Sequence, residues 1–277
     1  MFSTMHSGSR VLRPLNQQDI PAALALCRAS GWNQVERDWR HFLHLNPSGC
    51  RALEHDGILA GTVTTLRYAP QLAWIGMLLV HPSQRGHGIG TMLLEEALRL
   101  LEDVPSIWLD ATLAGHALYL KLGFEEDAHL ARMVCLSPTP QQSNLPAFRL
   151  TDEIAALDRG VFGADRATHL QWLAEGCKEG AYSLAGDRAF ILSRRGERFF
   201  HLGPLIAPDP SIAEQLVRAA IGRLPVIIDV PREPAWLERL RVLGFEEQRA
   251  FIRMRKGPAG GKRPHAWEFA IGGPEFG

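Results

Sequence analysis

Cysteine is scarce and unpaired in this chain. Cys27, Cys50, Cys135 and Cys177 are the only four among 277 residues, and none forms a C-x-x-C pair. That spacing supplies neither a zinc knuckle nor a disulfide framework, so it predicts reduced, buried thiols and no metal site. A surplus of either charge is also missing, with 30 Lys+Arg against 30 Asp+Glu. The balance holds within the halves: residues 1–137 carry 11 basic and 13 acidic side chains, and the remainder carries 19 and 17. Without a basic excess to neutralise phosphates, no nucleic-acid partner is expected. Long apolar runs are absent too. The most apolar stretch, Leu72 to Val80, falls far short of the ~20 residues that a membrane helix needs. The opening Met1-Phe2-Ser3-Thr4-Met5-His6 has no basic region leading into an apolar run, so no signal peptide is expected. These absences predict a soluble, cytoplasmic protein with no membrane partner.

What is present is an internal repeat. Gly123-Phe124-Glu125-Glu126 recurs as Gly244-Phe245-Glu246-Glu247, and Arg132-Met133 recurs as Arg253-Met254, both at an offset of 121. Ile107-Trp108-Leu109-Asp110 has a counterpart in Val226-Ile227-Ile228-Asp229 at offset 119, and Gly76-Met77-Leu78-Leu79 resembles Gly203-Pro204-Leu205-Ile206. Four blocks in one order predict two copies of one fold. A polar, proline-bearing linker, Ser137 to Asn144, separates them. Gly257 to Pro264 is a second flexible stretch, followed by an aromatic tail, His265 to Gly277.

The first copy reads as mixed α and β. Strands are expected at Arg10–Leu15, Arg51–His55, Leu59–Arg67, Leu72–Val80, Ile107–Ala111 and about Ala128–Cys135. A helix is expected from an Asp19 cap to about Arg28, with Pro21 in its first turn, and another over Gln34–Leu45. Met92–Leu101 has a broad apolar helical face, with Glu95 and Arg99 as an i,i+4 pair. Leu113–Leu122 reads as a short helix that Gly123 ends.

The sharpest local signal is Val80-His81-Pro82-Ser83-Gln84-Arg85-Gly86-His87-Gly88-Ile89-Gly90-Thr91, which follows an apolar strand and opens a helix. Its alternating glycines let backbone N–H groups approach a ligand, and the helix start adds a positive dipole end, so the segment suits a pyrophosphate. A dinucleotide fingerprint starting at Gly86 would need Gly or Ala where Thr91 stands, and no lysine follows Gly90 to make a P-loop.

Arg85, Gly88 and Gly90 do spell Arg/Gln-x-x-Gly-x-Gly/Ala. Here the chain resembles the GNAT N-acetyltransferases, whose loop of this form binds the pyrophosphate of acetyl-CoA. Ala117-Leu118-Tyr119-Leu120-Lys121-Leu122-Gly123-Phe124 is similar to the family's second hallmark, a helix with tyrosine before a Gly-Phe turn. This resemblance runs from Arg10 to about Leu136, and the whole chain resembles bacterial two-domain GNAT proteins with a degenerate C-terminal GNAT-like half, which implies two tandem acyl-CoA N-acyltransferase folds, each a mixed central sheet flanked by helices. The implied division is a catalytic domain over 1–137, a linker over 138–144, a degenerate GNAT-like domain over 145–256, and the segment and tail over 257–277.

In such enzymes the thioester carbonyl is polarised by a backbone amide, which the resemblance carries onto Leu78, with Leu79 and Val80 following the pantetheine and Val80 pairing it like an added strand. Arg85, Gly86, His87, Gly88, Ile89, Gly90 and Thr91 would hold the pyrophosphate, and Tyr119 would protonate the leaving thiolate. Deprotonating an alkylamine of pKa about 10.4 at pH 7 costs roughly 4.6 kcal/mol. Many family members use a strand glutamate four residues before the oxyanion donor, and Trp74 stands there instead. Asp110 is a tempting acid, but Asp229 repeats it, which favours a structural task such as capping the next helix. Thr112 stands where the family often has an asparagine that contacts the cofactor.

The second copy reads Ala207-Pro208-Asp209-Pro210-Ser211-Ile212-Ala213-Glu214 where the first has its loop, and Leu240 where the first has Tyr119. No acetyl-CoA site is expected there. Acceptor contacts are expected from Trp32, Asn33, Trp74, Met77 and Asp110. Trp267 and Phe269 would either fold back across an acceptor cleft between the copies or form an added edge strand or a disordered end. The resulting expectation is acetyl-CoA-dependent N-acetylation of a small amine in a ternary complex. A protein lysine is the alternative acceptor, and an acyl-CoA-binding sensor is the alternative function. Oligomeric state is left open between monomer and homodimer.

Overall fold

A computed structural model describes residues 9–69, 71–184, 186, 188–259 and 266–277. The expectations for the opening segment and for most of Gly257 to His265 fall outside these residues. The chain divides into two compact units: its described residues up to Leu66 together with Ile75–Asp103, and Arg67–Trp74 together with Val104–Gly277. The fold is mixed α/β.

In the first unit, β1 (Arg10–Pro14), β2 (Arg51–His55) and β3 (Ile58–Ala69, as far as Leu66) pair antiparallel in order, and β4 (Leu72–Val80, from Ile75) lies next to β3. Helices α1 (Ile20–Ala29), α2 (Glu36–Leu45) and α3 (Ile89–Leu100) complete it. Trp39, Phe42, Leu53, Ala60, Val63, Leu93, Leu94 and Ala97 are fully buried, so the helices cover the apolar faces of these strands. Asp19 stands at the N-cap of α1, yet its carboxylate makes no cap bond. It takes Arg13 and the Asn16 N–H instead, closing the short 3-10 turn before the helix. Asp38 accepts from the Val35 N–H at 2.8 Å, which starts α2 at Glu36 rather than Gln34. The expected Glu95–Arg99 pair is replaced by Glu96–Arg99. Glu96 also receives Arg51 of β2, and the two guanidiniums, Arg99 first, hold its carboxyl down at about 2.

The second unit holds β5 (Ser106–Ala111), α4 (Leu113–Lys121), β6 (Glu125–Cys135), α5 (Asp152–Phe162), α6 (Ala167–Gly176), β7 (Tyr182–Leu184), β8 (Ala189–Arg195), β9 (Phe200–Ile206), α7 (Pro210–Ala220), β10 (Val226–Pro231), α8 (Pro234–Val242), β11 (Glu246–Lys256) and β12 (Glu268–Ala270). Its strand order is β5-β11-β6-β10-β9-β8-β7. The start of β4 lies parallel to β5, with Leu72 opposite Ser106 and Trp74 opposite Trp108. The corresponding strands of the second copy repeat this pairing: β9 and β10 are parallel, with Phe200 opposite Val226 and Leu202 opposite Ile228.

The order reveals an exchange between the copies. The last strand of the first copy, β6, pairs antiparallel with β10 of the second, while the last strand of the second, β11, pairs with β5 of the first. The exchanged strands also pair with each other. Ala131, Met133 and Cys135 of β6 are therefore buried in one core with Leu202, Leu216, Val217 and Leu240 of the second copy. The repeated aspartates do not cap helices. Asp110 takes both arms of Arg253 at 2.8 and 2.9 Å, and Asp229 takes both arms of Arg132 at 2.7 Å. Each aspartate thus binds the repeated arginine of the other copy, and backbone register and side-chain pairing agree.

The tail adds a strand, β12, to β9, and it is buried from Glu268 to Gly273 and again from Glu275 to Gly277. Tyr68 donates to the Phe276 carbonyl, Trp74 to the Pro274 carbonyl and Arg166 to the Gly277 carbonyl. Glu275 pairs with the buried Arg194. Among the described residues no helix is long and apolar enough to cross a membrane, and all four cysteines are buried and unbridged.

Candidate active site

The candidate loop begins at β4, whose uninterrupted apolar residues form a mostly buried strand. Met77, fully buried within it, has φ +50, a conformation that side-chain-bearing residues seldom adopt. Leu79 points into the core, and Leu78 and Val80 are half-buried. A 3-10 turn, Pro82–Gln84, follows, with His81 accepting from the Ser83 N–H. Arg85 is exposed and reaches back to the Val80 carbonyl at 3.4 Å.

Gly86 and Gly88 both have φ +79, and a Cβ built on either meets nothing within 4 Å. Gly88 is the N-cap of α3, so no side chain caps the first turn of a twelve-residue helix. His87 is exposed, Gly90 and Thr91 are half-buried, and Ile89 anchors the helix in the core. Left-handed glycines with open space around them, at an uncapped helix start, match the needs of an anion bound by backbone N–H groups. The residues therefore fit a pyrophosphate.

In the second unit, α4 carries Tyr119, half-buried and edge-on to Phe124 at 5.9 Å between centroids. Desolvation pushes its phenol above the ordinary value, at which a phenol is already protonated at neutral pH. One turn earlier, a Cβ on Gly115 would lie 2.9 Å from a Tyr119 ring carbon and 3.5 Å from its hydroxyl, so only glycine clears that ring. Thr112 is the N-cap of α4 and makes no cap bond through its side chain. His116 faces Glu126 at 2.7 Å.

The acceptor candidates divide by exposure. Trp32 is half-exposed, whereas Asn33 and Met77 are buried in the first unit and Trp74 in the second. Trp74 stacks on Trp108 with 8° between planes, lies under the Arg253 guanidinium at 4.9 Å, and spends its N–H on Pro274. Asp110, locked to Arg253, is a structural carboxylate in this arrangement. Sequence reasoning missed Gly115, whose cost inside a helix was a usable signal. It also missed Thr62, whose buried hydroxyl holds the Met77 carbonyl and has no signature in sequence.

The corresponding elements of the second copy are occupied by the chain. Asp209 caps α7, accepting from the Ser211 and Ile212 N–H groups at 2.8 and 3.0 Å. The counterparts of Leu78 and Val80 are Leu205 and Ala207. Leu205 pairs with Ala270, and the Ala207 N–H donates to Trp267. Ile271 donates to Asp229 of β10, so the tail fills the gap where β9 and β10 diverge.

The comparisons agree with this layout. The GNAT acetyltransferase family model matches residues 22–124, and a GNAT acetyltransferase domain model matches 154–266. The chain is 28% identical over 257 residues to YitH of Bacillus subtilis (strain 168), named an uncharacterized N-acetyltransferase, covering 84% of this chain and 86% of that one. It is 27% identical to the holothin acyltransferase of Pseudoalteromonas sp. (strain SANK 73390), covering 83% and 82%. A crystal structure of a Pyrococcus horikoshii protein named as an acetyltransferase superposes with a TM-score of 0.83 at 23% identity, covering 100% of this chain and 99% of that one. With two such models in tandem over most of its length, the chain belongs to the GNAT acetyltransferase family and is an acyltransferase built of two tandem GNAT domains.

Proposed function

We propose that the protein transfers an acetyl group from acetyl-CoA directly to the primary amine of a small acceptor, with both substrates bound together. The observation that carries this reading is the open, left-handed Gly86/Gly88 loop at the uncapped start of α3, shortly after strand β4 with its left-handed Met77. Arg85 to Thr91 would hold the pyrophosphate, and the backbone of Leu78, Leu79 and Val80 would follow the pantetheine. Acetyl-CoA supplies the activated acyl thioester. The Leu78 N–H stabilises negative charge on the thioester carbonyl oxygen; as the N–C bond forms and the C–S bond breaks, the proton shed by the amine passes to solvent water and Tyr119 gives its phenol proton to the thiolate. Trp32, half-exposed, would offer acceptor surface, and Asn33, Met77 and Trp74, all buried, are the remaining acceptor candidates. Asp110 is withdrawn from acceptor chemistry by Arg253.

A second reading, an acyl-CoA-binding sensor, is favoured by Trp74 at the strand position where a base would stand. The holothin acyltransferase is named for acyl rather than acetyl transfer, which leaves room for a longer acyl group. Thiol release measured over a panel of small amines and lysine peptides separates the readings. Turnover with a small amine is expected, and Tyr119→Phe should lower kcat by about 10²–10⁴ while donor affinity holds. Donor binding without turnover on any amine would select the sensor.

A further inference from the structure

Met77 is buried inside a strand at φ +50 without being glycine, asparagine or aspartate. Such a residue persists only where its surroundings fix it. One such contact comes from the neighbouring strand: Thr62, with no solvent exposure, donates its hydroxyl to the Met77 carbonyl oxygen at 2.9 Å. In a trans peptide the carbonyl and the following N–H point in opposite directions. Holding the Met77 oxygen towards Thr62 therefore aims the Leu78 N–H away from β3. The left-handed turn at Met77 supplies the rotation, and the threonine hydroxyl locks it.

We infer that Thr62 is a positioning residue for the reaction: it orients the Met77–Leu78 peptide so that the Leu78 amide faces the donor's carbonyl. This rests on the proposed role of Leu78. An amide that must stabilise developing charge gains from being fixed beforehand, because no reorganisation is then needed as the charge forms. A valine at 62 would fill the same volume but leave the Met77 carbonyl unheld. A serine would keep the hydroxyl.

The test reads the donor itself and needs no acceptor. Acetyl-CoA labelled with ¹³C at the carbonyl is bound to the full-length protein, and its stretching frequency is recorded by isotope-edited infrared spectroscopy beside calorimetric affinity. Wild type should lower the frequency relative to free donor. Thr62→Val should lose about half or more of that shift while affinity stays within about threefold, and Thr62→Ser should restore it. Should the valine variant not fold, Thr62→Ala against Thr62→Ser makes the same comparison. A full shift in the variant lacking the hydroxyl would overturn the role of Thr62 and leave Leu78 intact. An unshifted carbonyl in wild type would overturn the Leu78 assignment and the inference with it.

Discussion

The two copies place the same helix start and the same strand edge in opposite states. At α3 the N-cap is Gly88, left-handed and without a side chain. At α7 it is Asp209, whose carboxylate already takes two N–H groups. At Leu205 and Ala207 the chain's own residues 267–270 pair with the strand, whereas in the first copy Leu78 and Val80 are the residues assigned to the pantetheine. In the second copy an aspartate thus takes the N–H groups of the helix start, and the tail takes the strand edge. A fold can lose a ligand and keep its stability when the vacated backbone groups find partners within the chain.

That comparison can be broken from several directions. The largest effect is expected at the exchanged strands. Arg132→Met leaves Asp229 buried beside His201 without its main partner, and Arg253→Met does the same to Asp110. Each should cost about 3–5 kcal/mol in urea unfolding. Losses under about 1 kcal/mol for both would contradict the exchange. Next comes the loop. Gly88→Trp places a bulky side chain at φ +79 in the open space and should weaken acetyl-CoA binding by about 100-fold or more, with circular dichroism unchanged. Normal affinity in the folded variant would remove the loop from the donor site. The smallest effect belongs to the second copy: Asp209→Ala should cost about 1 kcal/mol of stability through the lost cap and leave donor affinity untouched.

Much of the arrangement was legible in residues. The alternating glycines marked the loop because only glycine serves at φ +79 twice in three positions with a backbone surface left open. The repeat announced two copies, and the two GNAT models in tandem match them. The strand exchange was not legible, because backbone hydrogen bonds carry no label of the copy they come from. Its trace was the joint repetition of Asp110/Asp229 and Arg132/Arg253, read as two separate pairs of matches rather than as two reciprocal ion pairs. The Glu95–Arg99 pairing failed because spacing alone cannot see that Arg51, on another strand, draws Glu96 into the network. The left-handed Met77 was invisible for a related reason: nothing about methionine suggests it, and the threonine that holds it lies fifteen residues away.

Calorimetric titration of the full-length protein with acetyl-CoA tests the division into a live and a silent copy most directly. One site per chain is the expected result, abolished by Gly88→Trp and indifferent to Asp209→Ala. Two sites per chain, or one that survives Gly88→Trp, would contradict it.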